Sequence, residues 1–508
     1  MAAKLNIAEY LENKTILITG VTGFLGKIFL EKILRAQPNV NKIFLVMRAS
    51  TGKSVKERMQ NDVIGNELFE LLKEQYGGNE DGFSSFISEK VSVIEGDVAD
   101  EDLGIVDGSL LSSLFDQIHA VVNIAATTKF DERYDVALSI NTLGTKHVMD
   151  FSKKCSKLGM LLHVSTAYVA GERSGIISEE PLRMGEGLNG DTNLDIDSEV
   201  QLAMTQLYKL RKDGANKFTE KIAMKKLGIQ RAQHYGWPNT YVFTKSMGEM
   251  IVGKYRSELP VVIMRPTIIT STIEEPFPGW LEGNRTIDSF LTAYAKGNLS
   301  FILGDPNLIM DVIPGDYVVN AMLGIMACHH QTLHVGSDED DGYIYHVGSS
   351  SRNPVTYDIL QESAFRYLSL VKAGGKKKMK RIKFCTTKEK FDFQMKLSYK
   401  MPLELLHALD VVLFNLLKTK YSKLKKRYNY MMRLAELYRP YTFFNGIFND
   451  KNIGRLLQRT TFSEDEEISF SSSSSSRTKE IDFDVETINW EEYFTTIHIP
   501  SVLKHMVN

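Results

Sequence analysis

Cysteine is scarce and scattered in this chain. Cys155, Cys328 and Cys385 are the only 3 in 508 residues. An odd number with no Cys-x-x-Cys pair leaves no disulfide framework and no thiolate zinc site, and it fits a reducing compartment. Long hydrophobic runs are missing as well. No stretch of about eighteen uninterrupted apolar residues occurs, so a membrane-spanning helix is not expected. Charge of one sign is not in excess either: the net charge of −2 leaves no electrostatic footprint for nucleic acid, and none is expected as a partner. Residues Met1 to Glu12 lack the basic-then-apolar signature of a secretory signal. They are too short and too acidic for a transit peptide before the first strand begins by Thr15, so Asn13-Lys-Thr is a chance glycosylation triplet. What remains is 43% hydrophobic and 24% charged residues, the balance of a globular protein with a sizeable core and a length suited to two or three domains.

The most informative stretch runs from Lys14 to Leu30. Thr15 to Thr19 is a β-branched apolar run that reads as a buried strand, and Lys27 to Leu34 reads as an amphipathic helix. Between them stand Gly20, Gly23 and Gly26. Strand, glycine turn and helix in this order form the first half of a dinucleotide-binding βαβ unit. The glycines admit the backbone close to a pyrophosphate, and the helix N-terminus offers unpaired N–H groups to the anion. A second apolar run, Lys42 to Ala49, carries Arg48 at its end, with Lys53 following and no carboxylate between them. An acidic residue there would hold the ribose hydroxyl of NAD, whereas an arginine receives the 2′-phosphate of NADP. Arg48 therefore favours NADP(H).

Further runs follow at Val91 to Val98, His119 to Ala126, Leu161 to Tyr168, Pro260 to Arg265 and Tyr343 to Gly348. Strands alternating with helical segments predict a doubly wound, parallel α/β sheet of Rossmann type. Ligands bind beyond the carboxyl ends of such strands, where Gly20, Arg48, Asp97 and Ala125 would gather. A charged segment over 190–235 carries few strand signals and reads as a helical insertion. Beyond it, Tyr241 and Lys245 stand four apart, on one helix face, after a strand that ends in Ser165-Thr166. An ammonium near a phenol lowers its pKa, and such a tyrosine can protonate a carbonyl oxygen as hydride reaches the carbon. Asp316 reads as the N-cap of the apolar helix that follows it.

The first domain is expected to span 1–365, followed by a basic linker over 366–400 that includes the run Lys376 to Lys383. A mainly helical domain would occupy 401–508, with a serine-rich link at 469–478. Within it, Leu403 to Leu417 is strongly apolar but broken by Glu404, His407, Asp410 and Asn415. It suits either a buried core helix or one lying in a membrane interface, supported by the basic run.

Several of these stretches together carry a resemblance. Thr19-Gly-Val-Thr-Gly-Phe-Leu-Gly26, Ile124-Ala-Ala-Thr-Thr128, His163-Val-Ser-Thr-Ala-Tyr-Val169, Tyr241-Val-Phe-Thr-Lys245 and Arg265-Pro-Thr-Ile-Ile269 resemble the extended short-chain dehydrogenase/reductases. More narrowly, Phe130 to Tyr134, Gly236 to Asn239, Glu275 to Trp280 and Ile488 to Phe494 are similar to stretches of the plant alcohol-forming fatty acyl-CoA reductases. The resemblance covers nearly the whole chain. It implies that Thr19, Gly20, Thr22, Gly23, Phe24, Leu25 and Gly26 hold the nucleotide and that Arg48 selects NADPH. Asp97 and Val98 would lie beside the adenine, and Ala125 and Thr127 along a ribose. Tyr241 would be the catalytic acid and Lys245 its partner, which also holds the nicotinamide ribose. Thr166, or alternatively Ser165, would supply the catalytic hydroxyl, and Asn141 would anchor a water leading to the lysine.

The activity this implies is NADPH-dependent four-electron reduction of a long-chain or very-long-chain acyl-CoA to a primary alcohol and CoA, through a bound aldehyde. No acyl-cysteine intermediate is expected, because none of the cysteines sits beside a motif with a base. The implied location is the cytosolic face of the endoplasmic reticulum, as a peripheral protein, with the cytoplasm as the alternative. Three other readings share some of these motifs. Another extended reductase or epimerase acting on a small carbonyl or nucleotide sugar would want an acid at Arg48. A reductase domain fed by a tethered carrier would need a carrier segment. A non-enzymatic NADP-binding scaffold would not need Tyr241, Lys245 and Thr166 together.

Overall fold

The computed structural model describes residues 7–78, 80–330, 342–371, 379–414, 416–461 and 481–506. Its centre is a seven-stranded parallel sheet. The strands are β1 Thr15–Thr19, β2 Lys42–Met47, β3 Val91–Glu95, β4 Ala120–Asn123, β5 Met160–Val164, β6 Val261–Pro266 and β7 Ile344–Val347. Their order across the sheet is β7-β6-β5-β4-β1-β2-β3, the doubly wound arrangement expected. Leu17 of β1 pairs with Phe44 on one side and Val121 on the other. Every residue of β1, β4 and β5 is buried, because helices cover both faces and leave no side for polar alternation.

The order reverses between β1 and β4. Chains leaving these two strands part in opposite directions, and the crevice between them is where an open parallel sheet binds its ligand. Helix α1, Phe24–Ala36, starts from the glycine turn at this point. The charged segment over 190–235 carries two helices, α2, Ile196–Lys212, and α3, Lys217–His234. It is followed directly by α4, Thr240–Tyr255, which carries Tyr241 and Lys245.

Three strands stop earlier than the apolar runs suggest. β3 ends at Glu95, β4 at Asn123 and β5 at Val164. Asp97, Ala125 and Ser165-Thr166 therefore lie in the loops beyond the sheet, where they are free to face a ligand. Asp316 also differs from its expected role as an N-cap. It sits inside the first turn of α5, Gly315–His330, and its buried carboxylate accepts from the backbone N–H groups of Ile273, Glu274 and Glu275 at 2.8–2.9 Å. Its charge thus pins a loop beside the site. Arg265 of β6 and Glu249 of α4 form an almost fully buried ion pair, Nη2 to Oε2 at 2.6 Å.

The C-terminal region is stitched into the first. Lys383–Cys385 pairs in parallel with Phe301–Leu303, and Gly446–Phe448 pairs with Gly175–Ile177. Tyr493 donates to Thr270 Oγ1 at 2.8 Å, and Arg352 bonds Asp450 and Asp484, each at 2.7 Å. The stretch read as a linker, 366–400, holds regular elements among its described residues. It carries the end of helix Tyr357–Val371, the strand Lys383–Cys385 and α6, Lys388–Met395. Two helices follow, α7 Met401–Val412 and α8 Lys418–Thr442. The serine-rich link at 469–478, and Lys376 to Lys378 of the basic run, lie outside the described residues.

Candidate active site

A cavity of about 890 Å³ opens along the carboxyl ends of the central strands. Its first wall is the glycine turn. Gly20 takes a φ of +79°, and a Cβ there would stand 2.6 Å from the backbone N of Ala125. A Cβ on Gly26 would stand 2.5 Å from the carbonyl oxygen of Gly20. Both positions exclude any side chain, the first by conformation and crowding and the second by the packing of α1 against the turn. Gly23 caps α1, and no side chain satisfies the helix's first N–H groups. These open donors at a positive helix end, with Thr22, Phe24 and Leu25 on the same wall, fit the pyrophosphate of a dinucleotide.

One end of the cavity is marked by charge. Arg48, 61% exposed, reaches Asp97 with Nη1 to Oδ2 at 3.6 Å. The Arg58 guanidinium, which the sequence reading missed, also lines the cavity and donates to the backbone carbonyl of Arg48 at 2.5 Å. It comes from the helix Val55–Arg58, which a capping box of Ser54 and Glu57 starts at this spot. That S-x-x-E signature was the available clue. Val98, Ala125 and Thr127 complete this side.

Two of the expected residues stand behind the wall rather than in it. Thr19 is fully buried. It accepts from the Ala125 N–H at 3.3 Å and donates to Asn123 Oδ1 at 2.7 Å. Asn141, equally buried, clasps Thr127 from both sides of its peptide, accepting from the N–H at 2.9 Å and donating to the carbonyl at 3.1 Å. It also donates to Thr244 of α4 at 3.0 Å. Asn141 thus ties the Thr127 loop to α4.

The reactive end gathers Tyr241, Lys245, Ser165 and Thr166 on one stretch of wall. Thr166 Oγ1 donates to the Pro266 carbonyl at 3.4 Å. Burial pushes the Tyr241 phenol up to about 12, partly offset by the neighbouring Thr166 hydroxyl and by the charge of Arg285. Lys245 is not among the groups that lower it, so the expected lysine-driven depression of the phenol is not a feature of this geometry. Burial instead lowers Lys245 to about 8. Its Nζ donates to the Val164 carbonyl at 2.8 Å and lies 3.3 Å from His163 Nε2. His163 Nδ1 in turn lies 3.1 Å from Asn123 Nδ2. A buried polar chain therefore links Lys245 through His163 and Asn123 to Thr19, directly under the Ala125 loop. Ser165 Oγ has no hydrogen-bond partner among the described residues.

The opposite wall is aromatic and comes largely from the C-terminal region. Phe130 stacks on Tyr441 at 4.8 Å and faces Tyr241 at 6.1 Å, between ring centroids. Tyr438, Tyr441 and Thr442 of α8 and Phe290 complete it. The phenol of Tyr441 is held by Asn239, which donates to it at 2.8 Å. None of the cysteines lines this cavity. All of them are buried, and burial pushes the Cys155 thiol up to about 12.

The cavity thus sets a phenol and a neighbouring hydroxyl between a glycine turn and an aromatic wall. Fold and site together define a nicotinamide-dependent reductase of the extended short-chain dehydrogenase type. Two family profiles, both described as male sterility protein, match residues 18–322 and 403–508. The chain is 45% identical over 507 residues to the probable fatty acyl-CoA reductase 4 of Arabidopsis thaliana, covering 99% of each. It is 44% identical, again over 99% of each, to the alcohol-forming fatty acyl-CoA reductase of Simmondsia chinensis. It belongs to this family, the fatty acyl-CoA reductases. Among solved structures it is similar to the terminal R domain of the myxalamid PKS-NRPS biosynthetic pathway. The TM-score there is 0.53 at 17% identity, covering 89% of this chain and 86% of that one, a likeness of fold.

Proposed function

We propose that this chain reduces long-chain or very-long-chain acyl-CoA to a primary alcohol with two equivalents of NADPH: thioester, two NADPH and two protons give alcohol, free CoA and two NADP⁺. The observation that carries this reading is Tyr241 set beside Thr166 and Lys245 in one cavity, between the glycine cradle and the aromatic wall. Bound at Gly20, Gly23 and Gly26, NADPH supplies the hydride. The paired guanidinium side chains of Arg48 and Arg58 favour its 2′-phosphate.

The chain's own residues handle the oxygen and its proton. Tyr241 stays a neutral phenol at physiological pH, the form that can donate. Tyr241 and Thr166 hold the oxyanion as the thioester carbonyl becomes tetrahedral. Collapse of the resulting thiohemiacetal releases the CoA thiol and leaves an aldehyde, whose oxygen meets the same pair and takes its proton from Tyr241. Lys245, one helical turn on, supplies positive charge to that face. Phe130, Tyr438 and Tyr441 offer an apolar surface to the acyl chain next to the reacting carbon. The buried cysteines have no part in an acyl-enzyme.

Among the described residues no helix is long and apolar enough to cross a membrane. We place the enzyme peripherally, on the cytosolic face of the endoplasmic reticulum, where long-chain acyl-CoA partitions.

Incubation of the purified chain with palmitoyl-CoA and NADPH should yield hexadecanol and free CoA. Tyr241→Phe should abolish both products and leave NADPH affinity within about twofold, since a general acid contributes about 10²–10⁴ in rate. Retained activity in that variant would remove Tyr241 from its role. A product from small carbonyls or nucleotide sugars alone would replace the acyl-CoA reading.

A further inference from the structure

The hairpin of α7 and α8 presents apolar side chains to water while it buries a carboxylate. The Asp410 carboxylate, 4% exposed, accepts from the Leu417 N–H at 2.7 Å. His407 of α7 stacks on Tyr421 of α8 at 4.8 Å. Its large apolar groups face out. Phe393, Leu397, Met401, Leu405 and Leu409 recur every fourth residue from α6 into α7, and each is at least 44% exposed. The stripe ends at a turn where Phe414 is 91% and Leu416 81% exposed. Isolated exposed leucines are ordinary, but a contiguous stripe that ends in a bare phenylalanine marks a surface that is covered in use.

The charge beside it is of one sign. From Val411 to Ala435 the chain has no aspartate or glutamate. Immediately after the apolar tip, Lys418, Thr419, Ser422, Lys423 and Lys426 line a shallow recess on α8. These lysines have no ion-pair partner among the described residues. Ammonium and hydroxyl groups converging there fit a phosphodiester headgroup, and an apolar stripe next to them fits the acyl region below it. The base of the hairpin is fixed: Arg427 donates to Tyr399 Oη at 2.9 Å, and Tyr399 Oη lies 2.7 Å from Ser300 Oγ.

We propose that this hairpin is a bilayer-docking device, inserting Leu405, Leu409, Phe414 and Leu416 among the lipid chains while Lys418, Lys423 and Lys426 engage anionic phospholipid headgroups. It rests on the peripheral membrane placement proposed above and names the surface responsible. It also fixes an orientation. α8 runs from this contact to the cavity wall, where Leu437, Tyr438 and Tyr441 stand. Nineteen residues at 1.5 Å each separate Lys418 from Leu437, about 28 Å along the helix.

The test is vesicle flotation with the full-length chain, without cofactor or substrate. Vesicles of phosphatidylcholine, with and without roughly a third phosphatidylserine, distinguish the apolar from the charged contribution. Binding should be strong to anionic vesicles and weaker by at least about fivefold to neutral ones, given about 1 kcal/mol per interfacial lysine. Leu405→Glu with Phe414→Asp should cut partition by at least about tenfold, at an unchanged melting temperature, because both positions are exposed. Lys418→Glu with Lys423→Glu should remove the preference for anionic lipid. Wild-type protein that stays unbound, or variants that float as well as wild type, would overturn the proposal. So would a wild-type dimer in sedimentation that becomes monomeric in the Phe414 variant, which would assign the stripe to a second copy of the chain. A failure to reduce acyl-CoA would leave this assay untouched, so the two readings fail separately.

Discussion

Lys245→Met separates what the buried ammonium costs from what it does. Burial moves this lysine from its ordinary 10.5 to about 8, which corresponds to about 3 kcal/mol of stability given up to keep the charge inside. Methionine has similar length and no charge, so the substitution relieves that cost. It also strands the Val164 carbonyl, which receives Nζ at 2.8 Å, and removes the neighbour of His163 Nε2. Orphaned buried groups cost about 1–3 kcal/mol each. The terms oppose one another, and at pH 7 the variant should lie within about 2 kcal/mol of wild type while alcohol formation falls by at least about 10².

The pH dependence is sharper, and its sign follows from the depressed pKa. Below about pH 8 the lysine is charged in both folded and unfolded chains, and the full cost is present. Between about 8 and 10.5 the folded chain releases the proton and the unfolded chain keeps it, so stability rises with pH. Groups common to both proteins cancel in the comparison. Wild type should therefore gain about 2–3 kcal/mol over Lys245→Met between pH 7 and pH 10. Urea unfolding followed by the fluorescence of the buried Trp237 and Trp280 reads this directly. Parallel pH profiles for the two proteins would refute the reasoning, since they would mean that Lys245 is not a desolvated ammonium.

Three further outcomes are expected. Gly26→Ala would force its Cβ to within 2.5 Å of the Gly20 carbonyl and 2.7 Å of Val21 Cα; NADPH affinity by fluorescence titration should fall at least about tenfold, and wild-type affinity would mean the turn does not approach the cofactor. Arg48→Ala should lower kcat/KM for NADPH by roughly 10–100-fold, the worth of a charge-assisted hydrogen bond. It should leave NADH within about twofold, and an equal loss for both cofactors would remove Arg48 from the 2′-phosphate. Arg265→Met should destabilise by about 3–5 kcal/mol by leaving Glu249 charged and alone in the core, whereas adding Glu249→Leu should restore most of that; thermal melts of the single and double variants decide it.

Much of the nucleotide half was legible because local chemistry imposes it. The spacing of Gly20, Gly23 and Gly26 follows from backbone approach, and the apolar runs follow from strands buried on both faces. Tyr241 and Lys245 share a face by helical geometry alone. What was hidden depends on partners distant in sequence. Gly175–Ile177 and Gly446–Phe448 are strands of 3 residues each, too short for any periodicity, and they exist only because they pair with each other. Phe130 and Tyr441 form one wall although their positions in the chain give no reason to connect them. The phenol of Tyr241 was expected to be lowered by its lysine, but the desolvation that outweighs such a contact is visible only when the walls are in place. Asp410 looked like an interruption of an apolar helix. Its carboxylate instead accepts from the Leu417 N–H across the turn of the hairpin.

The stitching of the C-terminal region into the sheet domain also orders events during synthesis. The last strand of the sheet ends at Val347, and the glycine turn, Arg48, Arg58, Asp97 and Ala125 all precede it. Tyr441, which walls the cavity, follows about ninety residues on, and Tyr493, which bonds Thr270, about a hundred and fifty. At about 5–20 residues per second the nascent chain spends roughly seven to thirty seconds with a formed cradle and an open apolar flank. Chaperone engagement should concentrate in that interval, and a ribosome stalled between the two should carry a chain that retains NADPH and has no enclosed place for an acyl group.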